Sequence, residues 1–284
     1  MRDLFVEPTI AGFAQTLDGQ ARPGQHSNLV AIRRTGSQRP LFLVHPLGGE
    51  VQYARDLAAV VDPQVPVYGL AASGLVAGET PLSELPAMAA RYLTAIRQVQ
   101  PQGPYRTYEM ARQLQAGGEQ LEFVGIIDTS TRPEPASAQF VSEAHFLMDW
   151  LPRQIDPQVQ RQLAGLAQEN AIEAMLALCV AQQLLPLELP QDIDADLLRG
   201  HLAVAYATHL AIGAYVSPAS SLKVSLFTAN GEERNDPLLG WGMLLETPPS
   251  VTALAGTHET LVKPPLVSAL GQAISRALKE SAAQ

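Results

Sequence analysis

A single cysteine, Cys179, stands in the 284 residues of this chain. That excludes an intrachain disulfide and a cysteine-built metal cluster, and it fits a reducing, cytoplasmic setting. Basic side chains are also scarce. Lys+Arg total 19 against Asp+Glu 28, a formal net charge of -9. So acidic a chain is repelled by a phosphate backbone, and no nucleic-acid partner is expected. Long apolar runs are missing as well. Nothing approaches the roughly 20 residues that span a bilayer, and Met1-Arg-Asp-Leu-Phe lacks the apolar stretch of a signal peptide. No membrane partner is expected. What remains is 46% hydrophobic, enough for the core of one large domain or two small ones.

The chain opens on a short helical pattern. Thr9 is a candidate N-cap, followed at helical spacing by Ile10, Phe13, Ala14 and Leu17. Residues 18–28 are polar, with Gly19, Pro23 and Gly24, and read as a linker. From Leu29 onward, apolar strands alternate with amphipathic helices. Strands are predicted at Leu41–Val44, Val65–Leu70 and Leu121–Ile127. Helices are predicted at Val51–Val61, Leu82–Val99 and Tyr108–Leu114. Such alternation implies an α/β fold, a mostly parallel sheet flanked by helices on both faces. Between about residues 136 and 215 the alternation stops. Several helical segments follow, divided by Pro152, Pro157, Pro186 and Pro190, and form an all-helical insertion, either a lid or partner surface or a purely structural subdomain. Strands at Leu222–Thr228 and Val251–Leu254 and a closing helix at Pro264–Lys279 resume the pattern.

The stretch from Gly103 to Thr129 is short of one element. It supplies a helix, the Gly117-Gly118 turn and an apolar strand ending on Asp128, but the strand that should precede the helix is absent. In a catalytic α/β sheet that strand and its turn carry the nucleophile.

Four features can carry chemistry. His258, in Gly256-Thr-His-Glu, follows the last strand, where a general base is well placed; an ordinary surface His is the alternative. Asp128 ends a strand and can hold a His tautomer, or it can cap the turn Asp128-Thr-Ser. Asp236, in Asn235-Asp-Pro-Leu-Leu-Gly, is a rival acid whose simpler role is capping. His45-Pro-Leu-Gly-Gly49 follows the first strong strand. Its glycines let backbone N–H groups, near Leu47 and Gly48, approach an anionic oxygen.

Taken in order, His45-Pro-Leu-Gly-Gly, Ile126-Ile-Asp-Thr, the helical insertion, Asn235-Asp-Pro-Leu-Leu-Gly-Trp and Gly256-Thr-His resemble the thioesterase domain that ends nonribosomal peptide and polyketide synthases. Arg39-Pro-Leu-Phe-Leu-Val-His-Pro and Gly103-Pro-Tyr-Arg are typical of the same family, and the resemblance runs from about Leu29 to Lys279. Residues 1–17 resemble the last helix of an acyl- or peptidyl-carrier domain, which precedes the thioesterase on such assembly lines. The resemblance implies an α/β-hydrolase fold with a helical lid. It also implies release of an acyl or peptidyl chain from carrier phosphopantetheine, by hydrolysis or macrocyclisation, with no bound cofactor. The partners implied are the upstream carrier domain and the small-molecule substrate. His258 matches the family's general base. Asp128, rather than Asp236, matches the acid that orients it, and Leu47 and Gly48 match an oxyanion donor.

The departure lies between Arg106 and Thr107. After Gly-Pro-Tyr-Arg the family continues Leu-x-Gly-Trp-Ser-x-Gly-Gly, and here about eleven residues are missing, the nucleophilic Ser with them. No Gly-x-Ser-x-Gly occurs anywhere in the chain. Thr107, Ser73, Cys179 and Ser130 are poor substitutes, since none follows a strand between flanking glycines. The chain is therefore expected to be a catalytically impaired thioesterase. The alternative is a non-catalytic module that still docks a carrier. The lost strand should be central and buried on both faces, so its neighbours must either pair directly or leave a gap.

Overall fold

The computed structural model describes residues 28–76, 78–106, 110–131, 142–152, 154–185, 189, 193–231 and 233–283. The predicted N-terminal helix over residues 1–17, and Thr107, lie outside the described residues. No described helix is long and apolar enough to cross a membrane.

Eight strands are seen among the described residues: β1 Leu29–Arg33, β2 Leu41–Val44, β3 Val67–Leu70, β4 Tyr105–Arg106, β5 Leu121–Phe123, β6 Gly125–Ile127, β7 Ser225–Ala229 and β8 Ser250–Leu254. Eight α-helices accompany them: α1 Tyr53–Val60, α2 Leu85–Val99, α3 Ala111–Ala116, α4 Glu143–Trp150, α5 Pro157–Gln168, α6 Ile172–Ala181, α7 Ala195–Ala214 and α8 Val267–Ala282. Most strands and helices sit within a few residues of the sequence expectation. The ends move inward where Pro66 and Pro86 restrict the backbone at an element's start.

Three departures have physical causes. β1 was not anticipated as a strand, and it pairs antiparallel with β3 as the edge of the first sheet segment. Its last residue, Arg33, folds onto the end of α1 and donates to the carbonyls of Asp62 (2.6 Å) and Val65 (2.7 Å). The predicted strand Leu121–Ile127 divides at Val124, because its first half pairs with β4 and its second with β7. Among the described residues, the strand expected before the α3 helix is represented by the two-residue β4, parallel to β5.

The sheet is consequently in three hydrogen-bonded pieces, β1-β3-β2, β4-β5 and β6-β7-β8. Except for β1, all named pairings are parallel. The flanking segments do not close the gap by pairing with each other. On β2, Leu41 N–H and His45 N–H donate toward β3, so by alternation the polar backbone groups of Phe42 and Val44 point the other way. On β6, the Val124 carbonyl and Asp128 N–H bond to β7, so those of Gly125 and Ile127 face away from it. Local hydroxyls serve these outward carbonyls. Tyr53 Oη donates to Val44 O at 2.7 Å, and Thr129 Oγ1 to Ile127 O at 2.9 Å. A buried carbonyl without a donor costs about as much as a lost hydrogen bond, and Tyr53 offsets part of that cost at the half-buried Val44 carbonyl.

The main core lies between the sheet and α1 and α8. Leu41, Leu43, Leu57, Phe123, Phe227, Leu270 and Ile274 meet there. On the other face α2 and α3 enclose Phe42, Tyr92, Ile96, Tyr105 and Leu114. Helices α4 to α7 build a core of their own from Phe146, Leu147, Leu163, Met175, Leu176, Leu198 and Leu202. Three of the four, α4, α5 and α7, are started by a side-chain cap. Asp156 accepts from Gln158 N–H and Val159 N–H ahead of Pro157, and Asp194 accepts from Leu197 N–H.

Candidate active site

The carboxyl ends of β2 and β6, the loop after β8 and the insertion helices surround one cavity of about 1580 Å³. His45, Leu47, Gly48, Asp128 and His258 line it from the sheet side. Trp150, Leu151, Thr208 and Ile212 line it from the insertion. The exposed backbone edges at Phe42, Val44, Gly125 and Ile127 open onto the same space. The cavity therefore continues into the place where a central strand would run.

Asp128 and His258, 130 positions apart in sequence, meet at its rim. His258 Nδ1 is 3.0 Å from Asp128 Oδ2 and 3.1 Å from the Asp128 carbonyl oxygen. With Nδ1–H donating to these acceptors, Nε2 is left as the basic nitrogen. Asp128 is almost fully buried and sits at φ +46°, a left-handed conformation uncommon outside glycine but tolerated by Asp. Its amide donates to Phe227 O at 2.8 Å, which pins the turn to β7.

The electrostatics of the pair follow from these contacts. Burial raises the Asp128 pKa, but hydrogen bonds from His258, Arg234 and the Ala229 N–H outweigh it and hold the carboxyl well below the usual range. His258 is shifted upward. The hydrogen bond to Asp128 is the largest cause, partial desolvation opposes it, and the charge of Arg234 also lowers it.

Arg234 is a functional neighbour that sequence reasoning missed. Its Nη1 and Nη2 each stand 2.7 Å from one oxygen of Asp128, a bidentate pair. The sequence signal was its place in Arg234-Asn-Asp-Pro, where attention went to Asp236. Asp236 itself accepts from Leu238 N–H (2.8 Å) and Gly240 N–H (2.7 Å) and caps that turn, away from His258.

The loop after β2 is held on two sides. Ala72 N–H donates to Gly49 O at 2.9 Å. From α7, His201 Nδ1 lies 3.4 Å from Gly48 O. Gly49 takes φ +86°, and a Cβ there would sit 2.6 Å from Val204 Cγ1 of α7, so glycine is needed for conformation and space alike. His45 faces the cavity with Nε2 2.6 Å from Tyr92 Oη and Nδ1 2.7 Å from Pro46 O. Burial pushes its pKa down to about 4, so at neutral pH it is an uncharged hydrogen-bonding group.

Of the substitute nucleophiles Thr107 lies outside the described residues, and Cys179 and Ser73 are engaged away from His258. Cys179 is fully buried in the insertion core, and burial pushes its thiol up to about 11. Ser73 accepts from Asn28 Nδ2 at 3.1 Å, near the end of β3. Ser130 lines the cavity two positions past Asp128.

A parallel sheet with helices on both faces, an Asp–His pair at the strand ends and a helical cover define an α/β-hydrolase-type domain. The sequence profile of the Thioesterase domain family matches residues 39–274, and the chain belongs to that family. Nonribosomal peptide synthetase btyA of Aspergillus terreus is 32% identical over 213 residues, covering 68% of this chain and 22% of that protein. Aspulvinone E synthetase melA of Aspergillus terreus is 24% identical over 301 residues, covering 98% of this chain and 32% of that protein. The chain thus spans between a fifth and a third of these relatives. Among solved structures, the four-domain nonribosomal peptide synthetase holo-AB3403 superposes with a TM-score of 0.76 at 23% identity, over 94% of this chain and 21% of that one. The NocB thioesterase domain, in covalent complex with a fluorophosphonate nocardicin G analog, superposes at 0.57 with 23% identity, over 86% and 96%.

Proposed function

We propose that this chain is the product-release domain of a carrier-dependent synthetase, and that without a nucleophilic Ser it cannot form the acyl-enzyme. The observation that carries this reading is the Asp128–His258 pair, placed at the rim of a cavity whose neighbouring strand position is empty. In the full reaction a hydroxyl oxygen attacks the thioester carbonyl and its proton passes to His258 Nε2. The carrier thiol leaves with a proton, and the acyl-enzyme is opened by water or by a nucleophile within the chain. Asp128 holds the His258 tautomer that leaves Nε2 free for this step and stabilises the imidazolium. The backbone of Leu47 and Gly48 is assigned to the carbonyl oxygen of the substrate. The acyl chain takes the cavity under the insertion, and the phosphopantetheine arm arrives with the partner carrier domain.

The domain division follows the same reading: a carrier remnant at 1–17, a linker at 18–28 and a thioesterase domain from 29 with its lid. Release of an acyl group from a phosphopantetheinylated carrier tests the proposal. No His258-dependent release is expected from this chain. Release is expected after insertion of a strand-and-elbow segment bearing Ser between Arg106 and Thr107, and its loss again on His258→Ala. Turnover by the inserted form that is indifferent to His258 would overturn the assignment. The intact cavity and cover also favour a second reading, a module that holds a loaded carrier without turnover. Affinity for a loaded carrier measured on the unaltered chain separates the two.

A further inference from the structure

The Asp128 carboxylate has its acceptor positions filled, and Arg234 takes half of them. Oδ1 accepts from Ala229 N–H at 2.8 Å and from Arg234 Nη1 at 2.7 Å. Oδ2 accepts from Arg234 Nη2 at 2.7 Å and faces His258 Nδ1 at 3.0 Å. A carboxylate offers about four lone-pair sites, so the orientation of this one is over-determined. The guanidinium is planar and its two-pronged contact fixes the plane of the carboxylate, which a point charge cannot do. Oδ2 is the shared atom, since whatever electron density it gives to Arg234 is not given to His258.

We infer that Arg234 is a positioning residue for His258, acting through Asp128: it locks the carboxylate plane and draws on the same oxygen, so that His258 keeps a neutral, basic Nε2. A buried carboxylate facing a lone imidazole stabilises the imidazolium, and a general base that is already protonated accepts nothing. An adjacent fixed cation opposes that outcome: the Asp128 side chain is only 1% exposed and that of Arg234 20%, so their contact is poorly screened, while the His258 ring, 62% exposed, feels the cation through partial screening. The direction of the Arg234 contribution to His258 agrees with this, since it lowers the proton affinity that Asp128 raises. Other ionisable groups lining the same cavity are Glu259 and Lys263 on the loop of His258, His45 and Glu50 on the loop after β2, Arg55 and Asp56 on α1, and Asp149 on α4. None of them forms an ion pair with Asp128 among the described residues.

The inference rests on His258 being the base, yet its test requires no turnover, so either reading can fail without the other. The His258 ring is titrated by NMR in the full chain and in R234Q, R234K and D128N. Loss of Arg234 in R234Q is expected to raise the His258 pKa, read as a titration midpoint displaced to higher pH than in the parent. R234K, which keeps the charge without the fork, is expected between the parent and R234Q. D128N is expected to fall toward the ordinary value. A scaffold role alone predicts the opposite sign, since a carboxylate set adrift by losing Arg234 would let His258 fall as D128N does. An unchanged or lowered pKa in R234Q, or a lowered one in R234K should R234Q not fold, overturns the inference.

Discussion

Asp128 Oδ2 and His258 Nδ1 stand 3.0 Å apart, one at the end of β6 and the other in the loop after β8. The contact joins the two sides of β7, because β6 and β8 each pair with that strand. In the proposed function it is the acid–base half of a hydrolytic site, and it is assembled on the continuous sheet segment β6-β7-β8.

The contact makes stability depend on pH in two directions. Asp128 is depressed in the fold, so its contribution is present above its unfolded value near ~3.9 and is lost as pH falls through the folded value. His258 is raised, so its contribution is full below ~6.5 and is lost as pH rises through the folded value. The part of the two shifts that each group owes to the other is one interaction and counts once, while Arg234 and Ala229 N–H add to the depression of Asp128. Because the His258 side chain is 62% exposed, screening weakens the basic limb. Urea midpoints measured across pH should show a steeper acid limb for the parent than for D128N. Parallel curves would contradict the depressed Asp128 carboxyl.

The covering helices have a core independent of the sheet, and Leu147 is fully buried within it. Leu147→Ala should cost ~2–5 kcal/mol in the stability of that layer. The His258 titration should stay as in the parent, since no sheet residue is disturbed. Denaturant unfolding followed at Trp150 in α4 and at the His258 ring separates the two effects.

Gly49 ties the loop after β2 to α7. Gly49→Ala places a non-glycine residue at φ +86° and brings a Cβ to 2.6 Å from Val204 Cγ1. The conformation alone costs ~1–2 kcal/mol, and the overlap adds to it. The urea midpoint should fall, with shifted NMR signals at Leu47, Gly48 and His201. A variant as stable as the parent would show that the loop is not held this way.

The unpaired edges at Val44 and Ile127 predict the effect of restoring a strand. An inserted segment that pairs with both should displace the Tyr53 and Thr129 hydroxyls from these carbonyls and bury apolar side chains, each worth ~1.5–3 kcal/mol. Thermal unfolding of the inserted form should therefore begin well above that of the parent. An unchanged midpoint would mean that the edges do not accept a strand.

Much of this was readable from residue order. Apolar runs such as Leu41–Val44 and the amphipathic periodicity of Leu85–Val99 mark their elements locally, so the alternation and the helical interruption were legible. Helix and strand ends were less so, because Pro66 and Pro86 act within the elements they trim. The division at Val124 escaped notice, since a change of hydrogen-bonding partner leaves no trace in an unbroken apolar run. Asp128 and Asp236 were equally plausible acids by local chemistry, and only family resemblance distinguished them. In the fold their surroundings differ plainly: one is buried under Arg234 and His258, the other is an exposed cap. Arg234 could not have been found by spacing, because its partner lies 106 positions away.

The central claim is that this chain keeps the acid and base of a thioesterase and lacks the nucleophile. Treatment with a serine-directed fluorophosphonate, read by intact mass, tests it most directly. The account predicts no stoichiometric adduct on the chain as given, and one adduct, abolished by His258→Ala, once a Ser-bearing elbow stands between Arg106 and Thr107. A stoichiometric adduct on the unaltered chain that disappears when a single hydroxyl is replaced would contradict it.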